Sequence, residues 1–381
     1  MTASGRPAQS ASAESLAAAC RDADFVRLQA TADGDALAAL GQLAGALHAT
    51  DTPFHANVKA IPDIAVTDGD LTVCLGADTD ADITLTDEPL SAVAYAAADD
   101  IGVNANADAV LALAGAVAAG YAPGENTPLY EPATARLDRR PGIAVPVGGD
   151  TETLVDGLAH STLVHADFSA ARDTAATLIG ALDTETLDSE SHRRIASAVA
   201  LRTIEDTPAH AAERVERLLR PYVGGPFTTV GGYADVLDAC ARRRPGLGVA
   251  LAIDAARTDD DPTHAEEALD SWRDHATAAH TGLRTGEVAR HSGLFVVRVE
   301  HDTESVSLLG TVARLAQAFR SPESLALAVD GERAALAGEH AGEHAQRVGE
   351  QTEAIATGRT TTGYIEGIDA ETAETEVRRA V

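Results

Sequence analysis

An α/β fold of two lobes is what this sequence predicts, on three observations. Short β-rich runs alternate with helix-patterned segments from residue 24 to about 120, and the same alternation resumes near 227 and continues to the end. Between them, 151–225 is charged and helix-patterned, with Pro208 and Pro221 as punctuation and no strand-like run. Strand-helix alternation at this spacing requires crossover connections, and crossovers give a largely parallel sheet. A chain of 381 residues exceeds one core, and its 45% hydrophobic content is ample to bury two.

Residues 1–21, rich in Ala and Ser, read as an N-terminal tail, a frayed end or a first helix. The first lobe, 22–150, begins with a strand at 24–29 and a helix at 35–48. Strands follow at 53–58, 71–75 (Leu-Thr-Val-Cys-Leu) and 82–86 (Asp-Ile-Thr-Leu-Thr), then helices near 90–100 and 107–120. Residues 122–150, rich in Pro, Gly and Thr, read as a loop-heavy connection, and 151–226 as a helical bridge or insert. The second, smaller lobe, 227–381, reads as helix 230–242, strand 247–253, helix 262–282, strand 293–299, helix 308–319, strands 324–329 and 333–337, helix 338–351 and a terminal strand-helix pair. Asp260, Asp261 and Pro262 ahead of Glu266 and Glu267 suit a helix start.

The formal charge is −30, Lys59 is the only lysine, and aromatics make up 3%. Such a composition fits a very salty cytoplasm, where charges are screened within about 3 Å at 1 M salt. Acidity then says little about partners, although in an ordinary cytosol it would argue against binding nucleic acid. Cys20, Cys74 and Cys240 are odd in number and widely spaced, so they give no disulfide framework and no metal knuckle. The N-terminus has no basic start followed by an apolar stretch, and no run approaches the ~18 apolar residues of a membrane span. A soluble, cytoplasmic protein is expected.

The chemistry-bearing feature is Gln29 to Ala39, an apolar strand running through Thr31-Ala32-Asp33-Gly34-Asp35 into a helix. An acidic metal-binding turn at a sheet edge looks like this, but one carboxylate that such a turn needs is missing. The favoured reading of Asp33 is a helix N-cap or first-turn acid stabilised by the dipole, ahead of a residual ion site.

The order of motifs over roughly 22–370 resembles the archaeal RecJ-type members of the DHH phosphoesterase family, relatives of the replication factor that joins MCM and GINS in the eukaryotic CMG helicase. Thr31-Ala32-Asp33-Gly34 stands where that family has Asp-x-Asp-Gly. Val73-Cys74-Leu75-Gly76 resembles a strand ending in Asp-Leu-Gly, with Cys74 in the acidic slot. Thr86-Asp87-Glu88-Pro89 falls where Asp-His-His ends a strand. Ala109 to Val117 resembles the helix leading to a further Asp, for which Ala118, Ala119 and Gly120 offer none. Leu154 to Ser161 with His165 to Ser169 is similar to the bridge region, Asp235 to Arg242 with Pro245 to Gly248 to a stretch ahead of the C-terminal domain, and Leu309 to Ala313 to a turn within it. The glycine-rich Gly-Gly-Gly-His segment should fall near 349–363, where neither the triplet nor the histidine is present.

What the resemblance implies is a DHH-type sheet, a helical bridge and a DHH-associated C-terminal domain. The family's reaction needs two divalent ions about 4 Å apart, held by several carboxylates and imidazoles. Only remnant positions stand here: Thr31, Asp33, Asp35, Cys74, Asp87 and Glu88. No catalytic residue and no cofactor is expected, beyond at most one weakly held Mg²⁺ or Mn²⁺. The implied role is a non-catalytic scaffold in DNA replication, binding GINS and MCM or a RecJ-like paralogue. The alternative is a single-strand-specific 5′-3′ exonuclease, or the inactive subunit of a heteromeric nuclease acting on DNA or RNA.

Other constellations are weaker. His340-Ala341-Gly342-Glu343-His344 fits a zinc-peptidase pattern, but Gly342 interrupts the helix and no third ligand is identifiable. Cys240, at helical spacing with Val236 and Leu237, reads as core. Gly231-Gly232-Tyr233 after Thr228-Thr229 reads as a capped turn or a phosphate cradle. Arg242-Arg243-Arg244, the only compact basic cluster, suits either a helix C-terminus or contact with a phosphate backbone or acidic partner.

Overall fold

The computed structural model describes residues 10–64, 69–102, 108–124, 127–182, 186–205, 207–256, 263–300 and 305–381. The chain opens with α1 (Ala13–Asp22), capped by Ser12, whose side chain accepts from Ser15 N. Leu16, Ala17 and Cys20 are buried in the first core, so this part of the expected tail is integral to the fold.

The first lobe runs β1 (Val26–Thr31), α2 (Gly34–Ala49), β2 (Phe54–Lys59), β3 (Leu71–Leu75), β4 (Ile83–Leu85), α3 (Leu90–Ile101) and α4 (Ala109–Ala118). Its sheet is parallel throughout, in the order β2-β1-β3-β4. Parallel pairing puts the carboxyl ends of β1, β3 and β4 at one edge, where α/β sheets present their sites. Helix α2 is buried from Gly34 to Leu47, as a helix apolar on every side must be.

The 122–150 connection is less loop-like than expected, because it contains α5 (Thr127–Thr134) and a short β5 (Asp138–Arg139). The bridge is helical as expected: α6 (Thr151–His160), α7 (Arg172–Gly180), α8 (Ser189–Ile204) and α9 (Ala211–Leu218), then β6 (Tyr222–Val223) paired with β5.

Two expectations differ after 227. Following α10 (Val230–Arg243), the segment read as strand 247–253 is a helix, α11 (Pro245–Ala256), with Pro245 at its first position. A short apolar run cannot be assigned from periodicity, and here packing decides. Gly41 and Gly45 of α2 leave room for Ala252 and Ala256, since an added Cβ would stand 2.8 Å from Ala252 Cβ and 2.6 Å from Ala256 Cβ. Residues of α10, α11 and the start of α12 (Ala265–Thr285) therefore share the core of the first lobe, with Trp272 and Cys240 buried beside Leu37 and Leu40. The helix start read at Asp260 to Pro262 lies outside the described residues. The second lobe begins near 286, not at 227.

That lobe is β7 (Glu287–His291), β8 (Leu294–Arg298), α13 (Val306–Phe319), β9 (Leu325–Asp330), β10 (Arg333–Gly338), α14 (Ala341–Gln351), β11 (Ile355–Arg359), β12 (Thr362–Glu366) and α15 (Ala370–Ala380). The strands form one sheet, β11-β12-β10-β9-β8-β7, in which only β8 and β9 run parallel. Residue parity sorts its faces. Phe295, Val297, Ala326 and Ala328 pack on α13, while Leu294, Val296, Leu325 and Leu327 pack on α14 and α15. No helix among the described residues is long and apolar enough to cross a membrane.

Candidate functional site

The carboxyl ends of β1 and β4 and the start of α2 bring three acids together. Asp33 caps α2, accepting from Ala36 N at 2.9 Å and from the Thr31 hydroxyl at 2.6 Å. Asp35, in the first turn of α2, is 1% exposed and accepts from Leu90 N at 2.8 Å and Ser91 N at 2.9 Å, tying α2 to the start of α3. Glu88, beyond β4, completes the set. Gly76 follows β3 at φ +98, where an added Cβ would stand 2.1 Å from Thr31 Oγ1, so this crowded edge excludes a side chain there.

One guanidinium fills the space between the acids. Arg359, the last residue of β11, places Nη1 3.1 Å from Asp33 Oδ1, and Nη2 3.2 Å from Asp35 Oδ2 and 2.7 Å from Glu88 Oε1. Its Nε is buried without a hydrogen-bond partner. Burial opposes the charge on Arg359, but Asp33, Asp35 and Glu88 outweigh it and hold its pKa above the ordinary value. Burial likewise raises Asp35 and Glu88 above the usual carboxylate range, because one cation shared among three acids only partly offsets their desolvation.

Of the other positions singled out in the sequence, Thr31 joins this cluster through its hydroxyl, and Cys74 and Asp87 do not. Cys74 lies in β3, fully buried, and burial raises its thiol pKa. Asp87 is exposed, and its backbone N–H donates to Ser10 Oγ at 3.2 Å. Ala118, the last residue of α4, lies against Gly34. A cleft of about 420 Å³ opens beside the clamp, lined by Asp87, Glu88, Ala119, Tyr121, Thr360 and Thr361 among others, and among the described residues no arginine, lysine or histidine lines it.

A second buried network lies below. Asp238 of α10 accepts from Gly34 N at 3.1 Å and pairs with Arg242, whose Nε and Nη2 stand 2.9 and 3.0 Å from its two oxygens. Arg242 also donates to Tyr364 Oη at 2.7 Å and Ser307 O at 3.3 Å, reaching the second lobe. Burial disfavours the Asp238 carboxylate, but Arg242 and Arg314 overcome it and hold its pKa down to about 2. Arg242 is therefore not available to a phosphate backbone or a partner, which corrects that expectation. Arg243 and Arg244 face Asp274 and Glu267 at 3.5 and 3.4 Å at the surface.

Gly232 is not a phosphate cradle, because an added Cβ would stand 2.1 Å from the backbone at Val145 and Pro146, while Thr229 caps α10. In the zinc-peptidase pattern, His340 precedes α14 at φ +55 and engages Glu343 at 3.1 Å, and Gly342 packs on the backbone of Arg359. Cys240 is core, and burial pushes its thiol up to about 12. Sequence reasoning does not find Arg359 or Asp238. Arg359 lies within 349–363, a segment conspicuous only for its missing glycines and histidine, and nothing local marks its pairing with Asp33, 326 residues away.

Solved structures share this architecture. CDC45 from Entamoeba histolytica matches 97% of this chain and 98% of its own, with a TM-score of 0.57 at 10% identity. RecJ from Thermus thermophilus, solved in complex with Mg²⁺, matches 97% of this chain and 52% of its own, with a TM-score of 0.52 at 14% identity. The fold is thus RecJ-like, of the DHH type, and the chain spans about half the length of the Thermus RecJ chain. Sequence similarity is closer to a protein from Haloarcula marismortui described as uncharacterized protein rrnAC1427, which is 43% identical over 343 residues, 88% of this chain and 86% of its own. Residues 286–381 match the family model described as the rrnAC1427 C-terminal domain, which begins where the six-stranded sheet begins. The chain belongs to the rrnAC1427 family.

The residues present do not fit a two-metal centre, which needs several free carboxylates and imidazoles. Arg359 and the amides of α2 and α3 already engage the carboxylates, and no imidazole reaches them among the described residues. A guanidinium offers fixed positive charge and five N–H donors but no Lewis-acidic site for water.

Proposed function

We propose that this protein is a non-catalytic, RecJ-like scaffold working in the cytoplasm in DNA replication, docking on GINS and the MCM helicase or on a RecJ-like paralogue. The observation that carries this reading is the clamp: Arg359 supplies the positive charge that divalent ions would supply to Asp33, Asp35 and Glu88. A phosphodiester entering the neighbouring cleft would meet Asp87 and Glu88, with the nearby guanidinium of Arg359 already committed to the three acids. Two-metal displacement needs both oxygens of the reacting phosphate held by metal ions, and this arrangement offers neither ion a free ligand set. The protein then needs no cofactor, and any Mg²⁺ or Mn²⁺ it takes up is held weakly.

Purified protein in molar KCl with Mn²⁺ should degrade neither single-stranded DNA nor RNA above a contaminant level. Turnover that disappears on Asp33→Ala would overturn the reading. Docking in concentrated salt depends on apolar burial and local complementarity, because long-range attraction is screened. Association with GINS or a RecJ-like paralogue should therefore survive molar KCl, whereas binding to naked single-stranded DNA should be weak and vanish as salt rises. Tight, salt-resistant DNA binding with no protein partner recovered would return the nuclease reading to first place.

A further inference from the structure

A cavity of about 580 Å³ lies where α4, α9, α10 and α13 meet, a volume suited to one small-molecule ligand. Five arginines line it: Arg139, whose Nε donates to Arg220 O at 3.2 Å and which lies over the Tyr222 ring, Arg220 itself, and three from α9 and α13. Arg314 of α13 donates to Thr162 O at 3.1 Å and Thr162 Oγ1 at 3.0 Å, and stands 3.5 Å from Asp238. Arg217 of α9 donates to Gly120 O at 2.9 Å. His210, ahead of α9, bonds Gln317 O of α13 at 2.8 Å, which fixes the two helices that carry the cations.

The third arginine, Arg214, is half-buried in the same wall, and no hydrogen bond or ion pair engages its guanidinium among the described residues. Burial, then the like charges of Arg314 and Arg217, pull its pKa down to about 10, and the nearby Glu213 only partly opposes this. The acids at the cavity do not relieve it. Asp238 is paired with Arg242 and Arg314, Asp235 accepts from Thr162 and Trp272, and Glu213 and Glu216 are exposed. In a chain of formal charge −30, Arg214 stands without a paired carboxylate among the described residues, beside the like charges of Arg217 and Arg314. Val117, Leu163 and Phe319 add an apolar wall. Arginine forks match phosphate oxygens in geometry and charge.

We propose that this cavity binds a small phosphorylated ligand of nucleotide size, its phosphate held by Arg214, Arg217 and Arg314 and its apolar part by the α4 and α13 walls. The pocket stands whether or not the chain docks on replication proteins.

Titration calorimetry of the full chain in molar KCl, with ADP as the probe, tests this. Saturable one-to-one binding is expected, with inorganic phosphate competing. Arg214→Gln should weaken ADP at least about tenfold, and Arg214→Lys should recover part of that loss. Because no hydrogen bond or ion pair engages Arg214 among the described residues, Arg214→Gln should leave the melting temperature of the free protein unchanged or raised, while ADP raises that of the wild type. Arg217→Gln is a second variant with the same expected direction of affinity. Absence of saturable ADP binding, unchanged affinity in both variants, or tighter binding of a 5′-phosphorylated oligonucleotide than of ADP at the same salt would overturn the proposal.

Discussion

Arg359 Nη2 and Asp35 Oδ2, 324 residues apart in the chain, stand 3.2 Å apart at the junction of the two lobes. The pair joins the edge strand of the C-terminal sheet to the first turn of the most buried helix of the N-terminal lobe. Asp33 and Glu88 close on the same guanidinium, so one side chain partly offsets an acid cluster and ties the second lobe to the first.

Removing that cation should leave buried carboxylates uncompensated. Arg359→Met is expected to cost about 3–5 kcal/mol near neutral pH, the usual effect of breaking a buried pair from one side. Chemical denaturation in molar KCl measures it, and added Mn²⁺ should recover part of the loss by replacing the missing charge. A variant as stable as the wild type would mean that the clamp does not hold the lobes together.

The Asp238–Arg242 pair makes a parallel case inside a cluster that the sequence presents as a basic patch. Arg242→Met should cost about 3–5 kcal/mol, because both charges are buried. Arg243→Ser and Arg244→Ser, at the surface, should each change stability by no more than about 0.5 kcal/mol. Equal effects at all three positions would contradict the buried placement of Arg242.

Three buried imidazoles set a pH dependence. Burial lowers His165 and His275 from 6.5 to about 3, and lowers His280 well below 6.5. The unfolded chain takes up protons below pH 6.5 that the folded chain refuses until about pH 3, so stability falls as pH drops through that window. Each imidazole that stays neutral contributes a slope approaching about 1.4 kcal/mol per pH unit. Asp35 and Glu88, raised by burial, act with the opposite sign just above their ordinary values. Unfolding free energies at about pH 7, 6 and 5 should decline, and His165→Asn should flatten the decline. A flat profile would place these histidines in contact with water.

The seam between α2 and α11 admits no extra atoms. Gly41→Val is expected to destabilise by about 1–3 kcal/mol through overpacking against Ala252. A neutral result in thermal melts would mean that the helices can separate without loss.

Much of the scaffold is legible locally. The alternation of β-rich and helical runs places β1, β3, β4, α2, α3, α4 and α10 near their observed positions, because hydrophobic periodicity and helix caps such as Asp33 act over a few residues. The run at 247–253 fits a strand or a buried helix equally, and only the glycines of α2, some two hundred residues earlier, select the helix. The strand β7 leaves no clear local signal because its largely exposed residues show little alternation.

Residue identity alone settles the alternating α/β order, the helical bridge and that Thr31, Cys74 and Ala119 offer no carboxylate beside Asp33, since each of these is written within a short stretch of chain. Only long-range packing sets that Arg359 closes on Asp33, Asp35 and Glu88, that Arg242 is buried rather than offered to a partner, and that Arg214 has no ion-pair partner among the described residues. Each of these depends on which charges lie within a few ångströms in a desolvated space, and contacts between residues 65 or 326 positions apart carry no local signal.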